Sequence, residues 1–300
     1  MNKRTCDEDL SRGHESVPIT IERNDGKNVY PNFQYTPENI KGPGCDNDPS
    51  EVTLPGCSCR SLSCQRESCL CLQSYGETYD REGRLLNQCD GATGYSRPVF
   101  ECNVLCECSE ACQNRVVQKG VNVPLCVFWT EARGWGVKVL EPVLCGTFVC
   151  EYAGEAIGFE EARRRQLSQT AQDMNYIIAV GEYAGEGQVS QTFVDPVAVG
   201  NVGRFINHSC QPNLIMVPVR VHSVVPRLAL FARRDILANE ELSFDYSGGH
   251  SSSEVERLNS VQSMPGAKSL GMESLQRKPC LCGAQNCAGF LPLDISVLHH

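Results

Sequence analysis

The run Gly203-Arg204-Phe205-Ile206-Asn207-His208-Ser209-Cys210-Gln211-Pro212-Asn213 gathers two carboxamides, an imidazole and a thiol into a few residues. Pro212 disfavours helix at the residue before it and stops a helix from running through, so the run reads as a folded-over loop. A plain polar surface loop is the commoner explanation of any single Asn or His. The cysteines elsewhere in the chain tip the balance towards chemistry.

Nineteen cysteines in 300 residues is an odd count, which leaves at least one thiol without a disulfide partner. No apolar signal core follows Met1 to Asp9, so a reducing compartment is expected, and metal is a better reading than disulfides. The first group runs Cys57-x-Cys59-x4-Cys64-x4-Cys69-x-Cys71 and resumes as Cys102-x3-Cys106-x-Cys108-x3-Cys112. Cys-x-Cys pairs are too tight for ordinary zinc knuckles but suit thiolates that bridge neighbouring metals. Three tetrahedral zinc ions need twelve ligand positions, and nine sulfurs suffice if three of them bridge. Such a closed thiolate cluster leaves no position for water or substrate, so its expected role is structural, with metal binding supplying folding energy. Cys89 lies between the two halves and is left out. A second group, Cys280-x-Cys282-x4-Cys287, is one ligand short of a tetrahedron. Cys210 of the polar loop can be the fourth, which would draw the C-terminal tail onto that loop.

These groups must be held by rigid elements. Strands are predicted at 17–21, 125–130, 137–140, 148–152, 175–180, 192–194, 214–221, 227–232 and 241–246, with the turn Arg133-Gly134-Trp135-Gly136 between the second and third. One helix is predicted, over 159–169, with Glu160/Arg164 and Glu161/Arg165 spaced four apart in the favourable order. Arg163, Arg164 and Arg165 therefore read as a solvated helix face rather than a nucleic-acid site. Many short strands and little helix make the domain mainly β. Residues 1–44 read as an irregular arm laid over later parts, with the first dozen mobile. Residues 247–276, rich in Ser, Gly and Glu, read as a flexible insert.

Composition narrows the function. The net charge of −9 argues against a broad phosphate-binding surface and fits a surface that recruits a basic partner. No window approaches the roughly 18 uninterrupted apolar residues of a membrane span.

With these features assembled, the chain resembles the SET-domain protein lysine methyltransferases. The nine-cysteine block resembles the pre-SET module, Arg133-Gly134-Trp135-Gly136 the cofactor turn, and Glu151-Tyr152-Ala153-Gly154-Glu155 the strand after it. Asn207-His208-Ser209-Cys210 with Pro212-Asn213, and Glu241-Leu242-Ser243-Phe244-Asp245-Tyr246, resemble the two signature stretches, and Cys280 to Cys287 the post-SET module. The resemblance implies small curved sheets (the β-clip) with a C-terminal pseudoknot that sets the two signature stretches side by side. The domain order it implies is an N-terminal arm (1–54), a three-zinc pre-SET cluster (55–115), a SET domain (118–247), an insert (248–275) and a single-zinc post-SET lid (276–292). No second domain is expected after it.

The same resemblance implies S-adenosylmethionine as methyl donor, a lysine ε-amine, expected on histone H3, as acceptor, and action on chromatin in the nucleus. Tyr246 is the expected catalytic residue. Tyr152, Phe244 and Phe290 are expected to line a lysine channel. Arg133, Gly134, Trp135, Asn207 and His208 are expected cofactor contacts, with Tyr176 and Arg204 weaker ones. Phenylalanine rather than tyrosine at 244 leaves room for at least two methyl groups. No membrane association and no direct nucleic-acid binding are expected. The alternative of another class is a non-catalytic chromatin module that keeps the fold and only binds histone tails.

Overall fold

A computed structural model describes residues 8–22, 31–86, 99–170, 173–185, 188–247 and 278–292. The insert at 248–275, Cys89 and the first seven residues lie outside the described residues.

The arm supplies three two-residue strands, β1 (Thr20–Ile21), β2 (Gln34–Tyr35) and β3 (Ile40–Lys41). A short helix α1 (Leu70–Tyr75), which the sequence did not announce, lies in the cysteine block, and β4 (Val99–Phe100) leads out towards its second half. Then come β5 (Leu125–Thr130), β6 (Gly134–Val139), β7 (Phe148–Glu151), β8 (Gly154–Ile157), α2 (Phe159–Leu167), β9 (Ile178–Gly185) and β10 (Gln188–Gly200). The chain continues through β11 (Asn207–His208), β12 (Leu214–Arg220), β13 (Arg227–Ala232) and β14 (Ser243–Phe244). The domain is mainly β, as its short β-branched and aromatic runs predict.

Among the described residues four small sheets result, ordered β1-β5-β6, β2-β10-β8-β3 with β9 also on β10, β4-β12-β13-β7, and β11-β14. The arm is less irregular than expected. β1 pairs with β5, β2 with β10 and β3 with β8, all in parallel, so each arm strand covers an edge of a later sheet. The predicted strand at 192–194 grows to Gln188–Gly200 because successive parts of it pair with β9, β8 and β2. The predicted strand at 241–246 shrinks to Ser243–Phe244, since only those residues find a partner strand in β11.

The core explains the arrangement. Leu125 and Val127 of β5, Val137 and Val139 of β6, Leu228 and Leu230 of β13, and Phe244 of β14 are buried in one cluster. At about 25 cal/mol per Å² of apolar surface, each such side chain contributes roughly 1.5–3 kcal/mol. A second cluster joins Tyr79, Leu85, Val99 and Val117 from the cysteine region to Phe148, Val219 and Phe231 of the neighbouring sheet. The cysteine block thus shares apolar packing with the β domain. Its own interior, however, is sulfur: eight of its cysteines are buried with Leu72, and Cys59 packs against them.

Candidate active site and metal centres

Two stretches far apart in sequence meet at β11 and β14. They pair in parallel, with Asn207 opposite Ser243 and His208 opposite Phe244. The second stretch is gripped from both sides. Leu242 N donates to Val137 O of β6 at 2.7 Å. On the other flank, Ser243 N donates to Asn213 Oδ1 at 2.8 Å and Asn213 Nδ2 to Glu241 O at 2.8 Å. Asn213 is almost fully buried, so these bonds leave no unpaired amide in the core.

This pairing delivers Tyr246 to the polar loop. Its backbone N–H donates to His208 Nδ1 at 3.2 Å and its hydroxyl donates to Ile206 O at 2.8 Å. Because Nδ1 accepts, a neutral His208 carries its proton on Nε2, which lies 3.4 Å from Cys210 Sγ. Burial lowers the His208 pKa, against the pull of Asp245, and so favours the neutral ring. Burial also pushes the Tyr246 phenol well above its ordinary value.

An aromatic wall continues from there. The Phe244 ring lies 4.9 Å from that of Tyr246 and 5.7 Å from that of Tyr152, centroid to centroid. The Tyr152 hydroxyl donates to Tyr176 O, and burial raises its pKa as well. Arg204 is buried, with its guanidinium 4.4 Å from the Phe33 ring, 5.3 Å from Tyr176 and 5.3 Å from Phe205.

The turn before β6 comes to the same place. Gly134 has φ +73°, a left-handed value that L side chains rarely adopt. Thr130 Oγ1 accepts from Arg133 N at 3.0 Å and donates to Gly134 O at 2.7 Å, which closes the turn. Asn207 Nδ2 donates to Trp135 O at 3.3 Å and to Glu241 Oε1 at 3.0 Å. Arg133 Nη2 contacts Glu241 Oε2 at 2.6 Å. Arg133, Gly134, Trp135, Asn207, His208, Tyr246, Phe244 and Tyr152 are therefore contiguous. Phe290 lies on the tail, where its backbone bridges Pro279 and its side chain is half exposed. Glu241 and Asn213 fall within the two signature stretches, but the sequence assigns them no task, because nothing local pairs them with their partners.

The thiols group as metal ligands do. Cys57, Cys59, Cys64 and Cys69 form one set of four whose sulfurs lie within 4.8 Å of one another, and Cys64, Cys102, Cys108 and Cys112 form another. Cys57 and Cys102 also share sets with Cys69 and Cys71, and with Cys106 and Cys108. Cys210, Cys280, Cys282 and Cys287 make a separate set, tied down by Asn286 Nδ2 donating to Cys210 O at 3.2 Å and Ala288 N to Cys210 Sγ at 3.4 Å. Soft, four-fold, all-thiolate sets of this kind fit zinc. Backbone N–H groups of Cys57 and Asn103 donate to Cys106 Sγ, both at 3.2 Å. Buried Arg115 adds a guanidinium contact to Cys108 Sγ at 3.6 Å. Such donors favour thiolates over thiols.

Known proteins are similar to this chain along nearly its whole length. The SET domain model matches residues 134–247 and the Pre-SET motif model residues 11–115. The histone-lysine N-methyltransferase SETMAR of Rattus norvegicus is 49% identical over 295 residues, covering 97% of this chain and 89% of that protein. The crystal structure of the methyltransferase domain of human SETMAR superposes with a TM-score of 0.79 at 45% identity, covering 97% of this chain and 99% of that one. KRYPTONITE, solved in complex with mCHH DNA, H3(1-15) peptide and SAH, superposes with a TM-score of 0.68 at 29% identity, over 96% of this chain and 54% of that one. Fold and thiol modules together define a SET-domain protein with a metal module on either side. The chain belongs to the SET-domain histone-lysine N-methyltransferases.

Proposed function

We propose that this chain transfers methyl groups from S-adenosylmethionine to a lysine of the histone H3 tail, to at least the dimethyl state, and acts on chromatin in the nucleus. The observation that carries the reading is the meeting of Tyr246, Phe244 and Tyr152 beside the Asn207–His208 loop and the Arg133–Trp135 turn. KRYPTONITE, bound to an H3 peptide and SAH, supports the substrate class.

S-adenosylmethionine, when bound, supplies an electrophilic methyl on a sulfonium. The protein's task is to align a neutral amine with it. Free lysine has a pKa of about 10.4, so only about one in a thousand is neutral near pH 7.4. A channel walled by Tyr152 and Phe244 lowers that pKa by desolvation, and the nearby positive charge lowers it further. Tyr246 orients the amine and does not deprotonate it. Its phenol stays protonated, and with its O–H committed to Ile206 O its oxygen is left to accept from the amine. Phe290 closes the channel from the tail, which the Pro279 bridge anchors next to Cys280.

The residues at the turn and loop fit the cofactor. With both Asn207 N–H bonds spent on Trp135 O and Glu241 Oε1, its Oδ1 remains as an acceptor for an ammonium group. The reverse amide orientation would set Oδ1 against a carbonyl and a carboxylate. Gly134, Trp135 and His208 complete the cofactor site, with Tyr176 and Arg204 contributing from its aromatic flank.

Zinc holds both ends. The two clean sets of four account for seven of the nine pre-SET thiols and share Cys64. Cys71 and Cys106 remain, and each groups with both Cys57 and Cys102. A third site drawing on Cys57, Cys71, Cys102 and Cys106 would leave Cys57, Cys64 and Cys102 each common to two sets. Cys210, Cys280, Cys282 and Cys287 would hold a fourth zinc.

The test is transfer of a labelled methyl from S-adenosylmethionine to a panel of histone peptides, with Tyr246→Phe alongside the parent. The expected result is modification of an H3 peptide, reduced by about 10²-fold or more in the variant, as for the loss of one preorganised polar group. No transfer to any peptide would replace this reading by the tail-binding module.

A further inference from the structure

Glu241 belongs to no thiol set and makes no contact in the aromatic wall, yet it is fixed on every side. Its carbonyl accepts from Asn213 Nδ2 at 2.8 Å and its backbone bridges Lys138. Its carboxylate is shared between two partners: Oε2 takes Arg133 Nη2 at 2.6 Å, and Oε1 takes Asn207 Nδ2 at 3.0 Å. The space it uses is opened by Gly136, where an added Cβ would lie 2.9 Å from Glu241 Oε1 and 3.2 Å from Asn207 Nδ2. The partners come from a hairpin turn and a loop that share no strand pairing with each other at these residues.

We infer that Glu241 is a positioning residue that forces Asn207 to present its oxygen, rather than its N–H groups, to the methionine end of the cofactor. The inference rests on the function proposed above and adds a determinant of ligand chemistry to it. Two acceptors, Trp135 O and Glu241 Oε1, face one carboxamide, so the amide nitrogen must turn towards them. The oxygen is then held outward as an acceptor, and a ligand ammonium satisfies it where a ligand carboxylate does not. Glu241 also balances the Arg133 guanidinium at the edge of the site, and so keeps that cation from competing with the ammonium for the same position.

Two consequences are measurable in the full chain by titration calorimetry with SAH and with the SAH analogue whose α-ammonium is replaced by hydrogen. The parent should bind SAH at least about tenfold more tightly than the analogue, the size of one charge-assisted hydrogen bond. In Glu241→Gln, which keeps the side-chain volume and retains one oxygen, SAH affinity should fall about tenfold while analogue affinity falls by less than about threefold. Thermal unfolding of the variant checks that the site is folded. Equal loss for both ligands would reduce Glu241 to a structural link and overturn the inference. Equal binding of the two ligands by the parent would overturn it without any variant. A parent that binds neither would remove the proposed function itself, and this inference with it.

Discussion

At the scale of single residues, the proposed lysine channel makes Phe244 the position with the most to decide about the product. It is 1% exposed and its ring lies between those of Tyr152 and Tyr246. A phenyl edge there offers nothing to a water molecule, so in the proposed channel space beside the amine would stay free for added methyl groups. A hydroxyl on that ring would need a partner, because a buried unpaired hydroxyl costs roughly 1–3 kcal/mol. In the proposed channel its partner would be a bound water or the amine itself, and either would occupy the room a second methyl requires. Phe244→Tyr is therefore expected to shift the product to monomethyl-lysine, read by mass spectrometry of the peptide over time. Only monomethyl product from the parent would contradict the role given to Phe244.

At the scale of elements, the tail acts through one loop. Cys210 follows His208 by two positions, so the loop that holds Tyr246 through His208 Nδ1 also supplies a thiol to the C-terminal set. Residues 278–292 otherwise reach the body through contacts such as Lys278 to Asp173 O and Asn286 Nδ2 to Cys210 O. Such sparse contacts do not hold a segment without the metal, since metal binding supplies the folding energy of so small a module. Cys287→Ser should abolish methyl transfer while elemental analysis still finds three zinc per chain, because the pre-SET set shares no thiol with the tail. Full activity at three zinc per chain would detach the tail from the site. The element α2 has a humbler part: Glu161 pairs with Arg164 and Arg165, and Arg165 reaches Glu155 and Asp195. The arginine run thus secures a helix to the sheet beneath it, in line with the solvated-face reading for Arg164 but with Arg165 turned inward.

At the scale of the whole molecule, Glu151 registers how the arm closes over the core. It ends β7, is buried, and among the described residues its Oε1 has no hydrogen-bond partner. The groups facing it are Arg227 at 3.8 Å, Glu38 and Glu15 from the arm, and the backbone N–H of Asn39. Burial raises its pKa to about 7, with Arg227 opposing the rise. A folded value above the unfolded one means that folding favours the protonated acid. The stabilisation is complete below the unfolded pKa and is lost as pH climbs through about 7. Glu151→Gln, a neutral mimic of the acid, should raise the Tm at pH 8, by up to about 3 kcal/mol in stability, and lose that advantage near pH 4. A gain of the same size at both pH values would show that ionisation is not its source.

Much of this molecule was legible in its residues alone, where the information is local. Thiol spacing sorted the cysteines into two metal modules, because ligands of one ion must lie within a few ångströms and short spacings enforce that; Cys210 was only a candidate for the missing fourth ligand, and it is the fold that brings it to the C-terminal three. Alternation and β-branching marked β5, β7, β12 and β13, whose side chains are buried by the sheet they help to form. Other matters were left to the tertiary structure. The partnership of Arg133 with Glu241 spans 108 positions, and that of Asn207 with Glu241 spans 34. No periodicity records such pairs; they arise only when residues 241–244 are laid against both β6 and β11. The same holds for the bridging thiols and for the buried acid of Glu151, since sharing a sulfur or losing solvent depends on what the fold brings close. Spacing along the chain determined which groups were available, and three-dimensional closure decided which of them face one another.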